Sequence, residues 1–405
     1  MKILFYCDEY PPAHHGGIGS VVKIVAEALA KKGHEVHIIG TYRYGHKLPH
    51  FSIINNVNVY RLTHFNYLKY VPKVARRLIN KLLLELHVLN FKAKKSILKT
   101  EDFIEKVVKD KNIACIELVD YMELLQYLKE EIAFKRYQVP TLMRVHGSLS
   151  FIGKHMDSIN PIWLKNDINN FDRCDKIIAV SRFSSNFVLE YLDLKRNNVQ
   201  VIYNPIEHRF LSETPIKKHT NNILFIGKIT ETKGVFSLIK AFNEIAANYP
   251  NYTLNLVGSG NLSKAKSFVD PKFLDRVHFS GFINRNQIIK MIDESVFCVI
   301  PSYFETFGMV AIEIMARGKA LIYSERTSGS EIIDHLVNGL LVEPTDIEDI
   351  KKQMKFLLDN ENIRYDLGIA AQKKVKNNFL LDKIVIDLEE TYANSIQSSK
   401  DISIN

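Results

Sequence analysis

Apolar and polar positions along the chain divide it into short apolar runs separated by longer segments with helical spacing. In the first half, apolar runs typical of buried strands occur at residues 3–6, 35–39, 57–62, 113–118, 141–145, 176–180 and 199–202. Helical segments lie between most of them, the first over residues 20–32, where Gly33 ends it. Strands that alternate with helices predict a parallel sheet covered by helices.

A second series of the same kind begins at Asn222. Its predicted strands are 223–226, 253–257, 277–280, 296–300, 320–323 and 339–342, and its clearest helices are 235–248 and 309–316. The polar stretch 208–222 has little apolar periodicity and is the predicted linker. Residues 379–396 are predicted to form a last helix, followed by a frayed tail over 397–405.

Two α/β series in 405 residues predict two domains. We expect one Rossmann-like domain over residues 1–207, another over 208–378, and a C-terminal helix and tail over 379–405. Doubly wound sheets bind ligands at the carboxyl ends of their strands. The expected ligand site is therefore a cleft between two facing sheets, with the C-terminal helix packing back on the N-terminal domain.

The composition favours a soluble protein in a reducing compartment. Hydrophobic residues make up 46% of the chain, and no apolar run approaches the roughly 18–20 residues of a membrane span. The first apolar run meets Asp8 and Glu9 too early for a signal peptide. The cysteines are isolated and show no metal-binding spacing, so buried free thiols and a cytoplasmic location are expected: Cys7, Cys115, Cys174 and Cys298.

The net charge of +9 is concentrated in residues 69–99, where Glu85 is the only acidic residue. The basic residues there are Lys69, Lys73, Arg76, Arg77, Lys81, Lys92, Lys94, Lys95 and Lys99. Apolar residues recur among them at helical spacing. Two interpretations stay open: a helix whose apolar side packs on the domain, or peripheral contact with the inner face of the plasma membrane. No motif supports a nucleic-acid partner.

A glycine-rich loop follows the first predicted strand and leads into the first helix. Gly16 and Gly17 allow a phosphate to approach the backbone at a helix N-terminus. The loop is not a G-x-G-x-x-G dinucleotide fingerprint, and no well-placed acidic residue ends the second predicted strand. It is not a Walker A loop either, because Lys-Ser/Thr is absent after the glycines. The alternative is a plain turn between strand and helix.

The corresponding loop of the second series carries two lysines between two glycines. Lys228 follows Gly227, and Lys233 precedes Gly234. Two cations in such a loop can hold a diphosphate and stabilise the charge of a leaving phosphate without a metal ion. The alternative is a pair of solvated loop lysines.

Two carboxylates flank a third glycine turn. Glu305 lies in the loop after the strand at residues 296–300, and Glu313 lies about one turn into the helix that follows Gly308. A helix N-terminus after a glycine turn attracts anions, and the carboxylates can accept hydrogen bonds from sugar hydroxyls. The alternative is an ordinary helix start with acidic residues in its first turns.

A histidine stands just past another predicted strand. His146 follows residues 141–145 and precedes Gly147. Its position at the carboxyl end of the strand directs it to the expected cleft. The alternative is a structural histidine.

These motifs, in this order, closely resemble the retaining glycosyltransferases of family 4, which have the two-Rossmann GT-B fold. The strongest similarity lies in residues 300–316, with later matches at 328–333 and 338–342, and it extends over nearly the whole chain. One departure is Lys228, because this position is commonly Arg in the family. Lysine keeps the charge but loses the bidentate geometry of arginine.

The resemblance implies a role for each motif residue. Glu313 would bind the donor ribose, Glu305 would face the transferred sugar, and His146 would lie near the reacting carbon. The residues that would contact the phosphates or the sugar are Lys228 and Lys233 through their side chains, Gly16 and Gly17 through close approach, and Phe307, Gly308 and Met309 through backbone N–H groups.

The activity that the resemblance implies is metal-independent transfer of a sugar from a nucleotide-diphosphate donor, with retention and without a further cofactor. The acceptor would be a carbohydrate or a lipid-linked glycan, as in bacterial cell-surface polysaccharide or glycolipid synthesis. Alternatives are a sugar-nucleotide epimerase of the same fold and a non-catalytic protein that binds sugar nucleotides. A phosphorylase is disfavoured, since neither a pyridoxal-phosphate lysine nor a longer chain is evident.

Overall fold

A computed structural model describes residues 1–13, 16–43, 47–64, 79, 82–194, 198–213 and 221–404. The chain divides into two compact units. The first comprises Met1–Pro205 and Ile384–Asn405, and the second comprises Ile206–Lys383.

The first unit is built on a sheet whose eight described strands follow the order β3-β4-β2-β1-β5-β6-β7-β8. All pairs are parallel except β3 with β4. The strands are β1 (Lys2–Tyr6), β2 (Glu35–Arg43), β3 (Phe51–Ile54), β4 (Val57–His64), β5 (Cys115–Val119), β6 (Thr141–Val145), β7 (Lys176–Ala179) and β8 (Val199–Val201). Every residue of β5 and β6 is buried, as expected for central parallel strands covered on both faces.

The described helices of this unit follow the strands in alternation. They are α1 (Gly17–Lys31), α2 (Val88–Lys111), α3 (Leu149–His155), α4 (Pro161–Asp172) and α5 (Arg182–Asn186), with a 3₁₀ turn at Glu123–Tyr127 and a π turn at Phe187–Tyr191. The apolar side of α1 is buried through Val21, Val25 and Leu29. This burial at helical spacing fixes the helix on the sheet.

The second unit repeats the pattern with a sheet of order β11-β10-β9-β12-β13-β14 among the described strands. These strands are all parallel: β9 (Asn222–Ile226), β10 (Thr253–Val257), β11 (Val277–Gly281), β12 (Ser295–Ile300), β13 (Leu321–Ser324) and β14 (Leu340–Val342). Its described helices are α6 (Val235–Ala246), α7 (Leu262–Lys266), α8 (Arg285–Glu294), α9 (Met309–Ala316), α10 (Gly329–Ile332), α11 (Ile347–Asp359) and α12 (Glu361–Asn378). Short 3₁₀ turns occupy His208–Phe210, Glu231–Lys233 and Pro271–Arg276. The fold class predicted from the sequence, α/β with two Rossmann-like domains, is confirmed.

The last helix, α13 (Leu381–Ile404), starts in the second unit and packs on the first. The Tyr392 hydroxyl donates to the buried carboxylate of Glu117 on β5, and Arg144 Nη1 on β6 lies 3.9 Å from the same carboxylate. On the exposed side, His34 Nε2 lies 2.7 Å from Glu389 Oε1. The predicted return of the C-terminal helix is thus confirmed, but the frayed tail is wrong, because the helix continues to Ile404.

The basic segment 69–99 is only partly described. Lys69, Lys73, Arg76, Arg77 and Lys81 lie outside the described residues, as do residues 214–220 of the predicted linker. From Val88 onward the segment is helix α2, which buries Leu89, Ala93 and Ile97 against the unit. Its opposite side exposes Phe91, Lys95, Leu98 and Lys99.

All four cysteines are buried and free, as predicted. Among the described helices, none has a stretch long and apolar enough to cross a membrane.

Candidate active site

The sheet order brings the predicted loops together within each unit. In the second unit the strand order reverses between β9 and β12, and the loops after these two strands carry the lysines and Glu305. In the first unit it reverses between β1 and β5, and the loop after β1 carries Gly16. A doubly wound sheet binds ligands at such reversal points.

Lys233 and Glu305 form an ion pair in the second unit. The Lys233 ammonium donates to Glu305 Oε1, although the residues are 72 positions apart. Both side chains are about a quarter exposed, at 25% and 26%. Lysine has three donors, so Lys233 can bind this carboxylate and a ligand phosphate at the same time.

Lys228, the first lysine of this loop, is exposed. Its side chain makes no ion pair with any residue that the structure describes. The cation is therefore accessible to an anionic ligand.

Glycines in the left-handed conformation precede two helices of this unit. Gly234 precedes α6 with φ of +66°, and Gly308 precedes α9 with φ of +83°. An added Cβ would lie 1.8 Å from the Pro301 carbonyl oxygen at Gly234 and 2.0 Å from the Tyr323 hydroxyl at Gly308. Neither helix start has a side-chain cap among the described residues. Their first N–H groups are therefore directed outward, which favours an anion.

Contacts of the buried residue Phe307 hold the turn at Gly308 in place. Phe307 is buried, and its ring meets Phe379 edge-to-face at 5.7 Å. Its carbonyl accepts a hydrogen bond of 2.7 Å from Ser328 Oγ. Met309 is the first residue of α9. The segment 328–333, noted as similar to the family, thus supports the glycine turn.

Glu313, the second predicted carboxylate, is almost fully buried and paired. Arg285 at the start of α8 donates to Glu313 Oε1 at 2.8 Å. The same guanidinium lies 3.7 Å from Glu207 Oε1, which accepts from Arg209 at 2.7 Å. Burial raises the pKa of Glu313, the Arg285 charge opposes this rise, and the Glu207 charge adds to it. No local pattern indicated Arg285, because the contact spans 28 positions.

In the first unit, the glycine loop holds a carboxylate at the start of α1. The Gly16 N–H donates to Glu9 Oε2 at 2.8 Å, and both Gly16 and Gly17 are exposed. A Cβ on Gly19 would lie 2.0 Å from the Glu9 carbonyl oxygen, so Gly19 permits the close packing of loop and helix. Glu9 occupies a position that suits an anion. His14 and His15 of this loop lie outside the described residues.

His146 is held by an aspartate that follows the neighbouring strand. The N–H groups of His146 and Gly147 donate to the two carboxylate oxygens of Asp120, at 2.7 and 2.9 Å. Asp120 directly follows β5, so these hydrogen bonds fix the loop after β6 to the end of β5. Burial, reinforced by the Arg144 charge, lowers the pKa of His146 to about 3, and the imidazole is therefore neutral near pH 7.

The pKa of Asp120 is shifted in the opposite direction. Burial raises its pKa to about 7, in spite of the two backbone hydrogen bonds, which lower it, and the nearby Asp167 carboxylate raises it further. An isolated acidic residue after a strand gave no signal in the sequence, so Asp120 was not predicted.

The structure thus brings several of the predicted residues of the second unit together. Lys233 meets Glu305 directly, Gly308 begins the helix that carries Glu313, and Lys228 lies on the same loop as Lys233. Gly16, Gly17 and His146 belong to the first unit, on loops after β1 and β6. The roles predicted for the site residues of both units stay predictions.

Three family models match the chain in sequence order. They are the starch synthase catalytic domain over residues 2–90, Glycosyltransferase Family 4 over 120–210, and Glycosyl transferases group 1 over 208–374. An uncharacterized glycosyltransferase of Methanocaldococcus jannaschii is 30% identical over 258 residues, which cover 64% of this chain and 69% of the relative.

Solved structures share the fold. Sucrose-phosphate synthase from Thermosynechococcus elongatus superimposes with a TM-score of 0.78 at 20% identity, over 98% of this chain and 100% of the synthase. HepE from Anabaena, solved in complex with UDP and glucose, gives a TM-score of 0.69 at 17% identity, over 97% of this chain and 99% of HepE.

Fold and site together define a glycosyltransferase of the two-Rossmann GT-B class. The chain belongs to the group 1 glycosyltransferases and is of the family 4 type.

Proposed function

We propose that this glycosyltransferase takes its sugar from a nucleotide-diphosphate donor and transfers it, with retention and without a metal ion, to a hydroxyl group. The observation that carries the proposal is the Lys233–Glu305 pair at the reversal point of the second sheet, between two helix starts without side-chain caps. HepE, a neighbour in fold, was solved with UDP, which supports a nucleotide donor.

The proposed chemistry exchanges one bond at the anomeric carbon. The bond to the phosphate oxygen breaks, the acceptor oxygen forms a new bond on the same face, and the acceptor proton passes to the leaving phosphate. Lys228, Lys233 and the N–H groups at Gly308 stabilise the charge that develops on the diphosphate. Glu305 orients the sugar.

Substitution of the ion pair tests the donor site. Lys233→Ala and Glu305→Gln are each expected to reduce transfer by about 100-fold or more, because charge stabilisation and sugar orientation are lost. Nucleoside diphosphate release from UDP-, GDP- and ADP-sugars, measured with a lipid-linked glycan fraction as acceptor, gives the rates. The anomeric coupling constant of the product, read by NMR, gives the stereochemistry.

Lys272→Ala is the matched control, since Lys272 is an exposed lysine of the same unit. Wild-type rates in both site variants would overturn the assignment. An epimerised sugar nucleotide from donor alone would favour the epimerase, and an inverted anomer would refute retention.

We further propose that the acceptor is lipid-linked and that the protein works peripherally at the inner face of the plasma membrane, in cell-surface polysaccharide or glycolipid synthesis. The support is the exposed side of α2, where Phe91, Lys95, Leu98 and Lys99 follow each other at helical spacing. Phe91 is 62% exposed and Leu98 40%. Apolar and cationic side chains on one helix face suit an anionic lipid surface.

Co-sedimentation with phosphatidylglycerol vesicles tests this contact. The double variant Phe91→Ser/Leu98→Ser is expected to lose binding, whereas Phe282→Ser, at a phenylalanine of the other unit that is 85% exposed, is expected to retain it. Wild-type protein that stays in the supernatant at low salt would refute the membrane contact and favour a soluble acceptor.

A further inference from the structure

A chain of alternating charges lies beside the α9 helix and ends on the carboxylate predicted to hold the donor ribose. Arg285 is hydrogen-bonded to Glu313 at 2.8 Å and lies 3.7 Å from Glu207, and Arg209 donates to Glu207 at 2.7 Å. The guanidinium carbons of both arginines lie 5.7 Å from the centre of the Phe210 ring. Both arginines therefore lie beside one buried aromatic side chain.

The burial of these groups is graded along the chain. The Glu313 side chain is 6% exposed, those of Glu207 and Arg285 are 26% and 29% exposed, and that of Arg209 is 44% exposed. A carboxylate as buried as Glu313 needs a paired cation to stay ionised. In the structure, Arg285 is the cation paired with the Glu313 carboxylate.

We propose that Arg285 is a positioning residue for the nucleotide donor: it fixes the Glu313 carboxylate in one orientation and in its ionised form, while Glu207 and Arg209 hold Arg285 in place. The inference rests on the proposed function, because it gives Arg285 a purpose only if Glu313 binds the ribose. Arg285 acts through Glu313 and does not itself contact the nucleotide.

Arg285 occupies the first position of α8 for reasons of local structure. Asn284 caps this helix in a capping box with Gln287, which fixes the backbone direction of the first turn. The cap therefore determines where the guanidinium can reach. An ionised carboxylate accepts hydrogen bonds from hydroxyls more strongly than a neutral acid does. Keeping Glu313 ionised therefore strengthens its hydrogen bonds with the ribose hydroxyls.

A double-mutant cycle with UDP as the probe separates positioning from direct contact. Arg285→Ala is expected to weaken UDP binding roughly tenfold, since the carboxylate that it leaves behind is buried and unpaired. In the Glu313→Ala background the same substitution is expected to change UDP affinity by less than about twofold. Lys290→Ala, an exposed lysine on α8, is the control and is expected to bind UDP as the wild type does.

The pH dependence provides a readout that a merely structural role would not move. Loss of Arg285 removes the charge that opposes the rise in the pKa of Glu313. The carboxylate then protonates at higher pH, with Glu207 and Arg209 as the remaining charged neighbours. The Arg285→Ala defect in UDP binding is therefore expected to grow as the pH is lowered.

Isothermal titration calorimetry with UDP, repeated with GDP and ADP, distinguishes the outcomes. Equal weakening by Arg285→Ala in both backgrounds would show direct contact and overturn the positioning role. Normal binding by Arg285→Ala with a clear loss in Glu313→Ala would overturn it too and leave the proposed function intact. A wild-type protein that binds none of the three nucleotides overturns both.

Arg285→Lys keeps the test decisive if Arg285→Ala does not fold. Lysine retains the charge but lacks the planar fork of donors that the guanidinium has. We expect it to weaken UDP binding by a few fold in the wild-type background and to have no effect in the Glu313→Ala background. Circular dichroism of each variant confirms folding.

Discussion

The Asp120 carboxylate gives a pH-dependent stability that one substitution removes. Its pKa is raised to about 7 in the folded protein by burial, against about 3.9 in an unfolded chain. The folded state therefore holds a proton that the unfolded state has lost between these values. The stabilisation is complete below about pH 4 and is lost as the pH rises through about 7.

The size of the effect follows from the width of this interval. One bound proton changes the free energy of unfolding by about 1.4 kcal/mol per pH unit. The contribution of Asp120 to the free energy of unfolding of the wild type therefore falls by up to about 3 kcal/mol between pH 5 and 7. Asn in place of Asp120 does not titrate, so this loss disappears. It also has one carbonyl oxygen for two N–H donors, which costs about 1–3 kcal/mol at any pH. The substitution also removes the repulsion between the Asp120 and Asp167 carboxylates, which makes the observed difference smaller.

Urea unfolding of wild type and Asp120→Asn at pH 5 and pH 7.5 measures this difference. The only tryptophan, Trp163, lies on α4 of the first unit, so its fluorescence reports on the unit that contains Asp120. The variant is expected to be clearly less stable at pH 5 and close to wild type at pH 7.5. Asp110→Asn, at an exposed aspartate of α2, is the control. Parallel pH profiles for wild type and Asp120→Asn would refute the reasoning.

Two further substitutions test the glycine turn and the C-terminal helix. Gly308→Ala is expected to weaken UDP binding at least tenfold, because its Cβ would lie 2.0 Å from the Tyr323 hydroxyl and the backbone strain adds about 1–2 kcal/mol. Gly281 also has a positive φ, of +66°, but an added Cβ there would have nothing within 4 Å. Equal defects in Gly281→Ala and Gly308→Ala, read by calorimetry, would therefore contradict the steric explanation. Tyr392→Phe is expected to destabilise the first unit by about 1–3 kcal/mol, because the buried Glu117 carboxylate loses its hydroxyl donor. Unchanged urea unfolding by Trp163 fluorescence would show that this hydrogen bond does not hold α13.

Much of the fold could be predicted because central parallel strands are continuous apolar runs. The boundaries of β6 and β10 agree with the predicted ones at both ends, and those of α9 do as well. The β3 strand was missed because it is a short edge strand whose Phe51 and Ile53 are 47% and 65% exposed, so no buried face marks it.

The C-terminal helix was predicted too short for a similar reason. Residues 397–404 lack apolar periodicity, and the helix extends beyond the part that Tyr392 and Leu388 anchor in the core. Helices propagate more easily than they start, so an anchored helix can continue into a polar segment.

The site could be predicted only as separate motifs. Glycines, lysines and carboxylates after strands indicated phosphate chemistry, and the sheet order explains why the loop with Lys233 meets the loop with Glu305. The supporting partners could not be predicted. Asp120 and Arg285 act on residues 26 to 28 positions away in the sequence, and such contacts leave no local periodicity.

A crystal structure of the protein with UDP bound tests the central claim most directly. The diphosphate is expected within hydrogen-bonding distance of Lys228 and Lys233 and of the N–H groups at the start of α9, with the ribose hydroxyls on Glu313. A nucleotide bound elsewhere, with the Lys233–Glu305 and Arg285–Glu313 pairs remote from it, would contradict the proposed donor site.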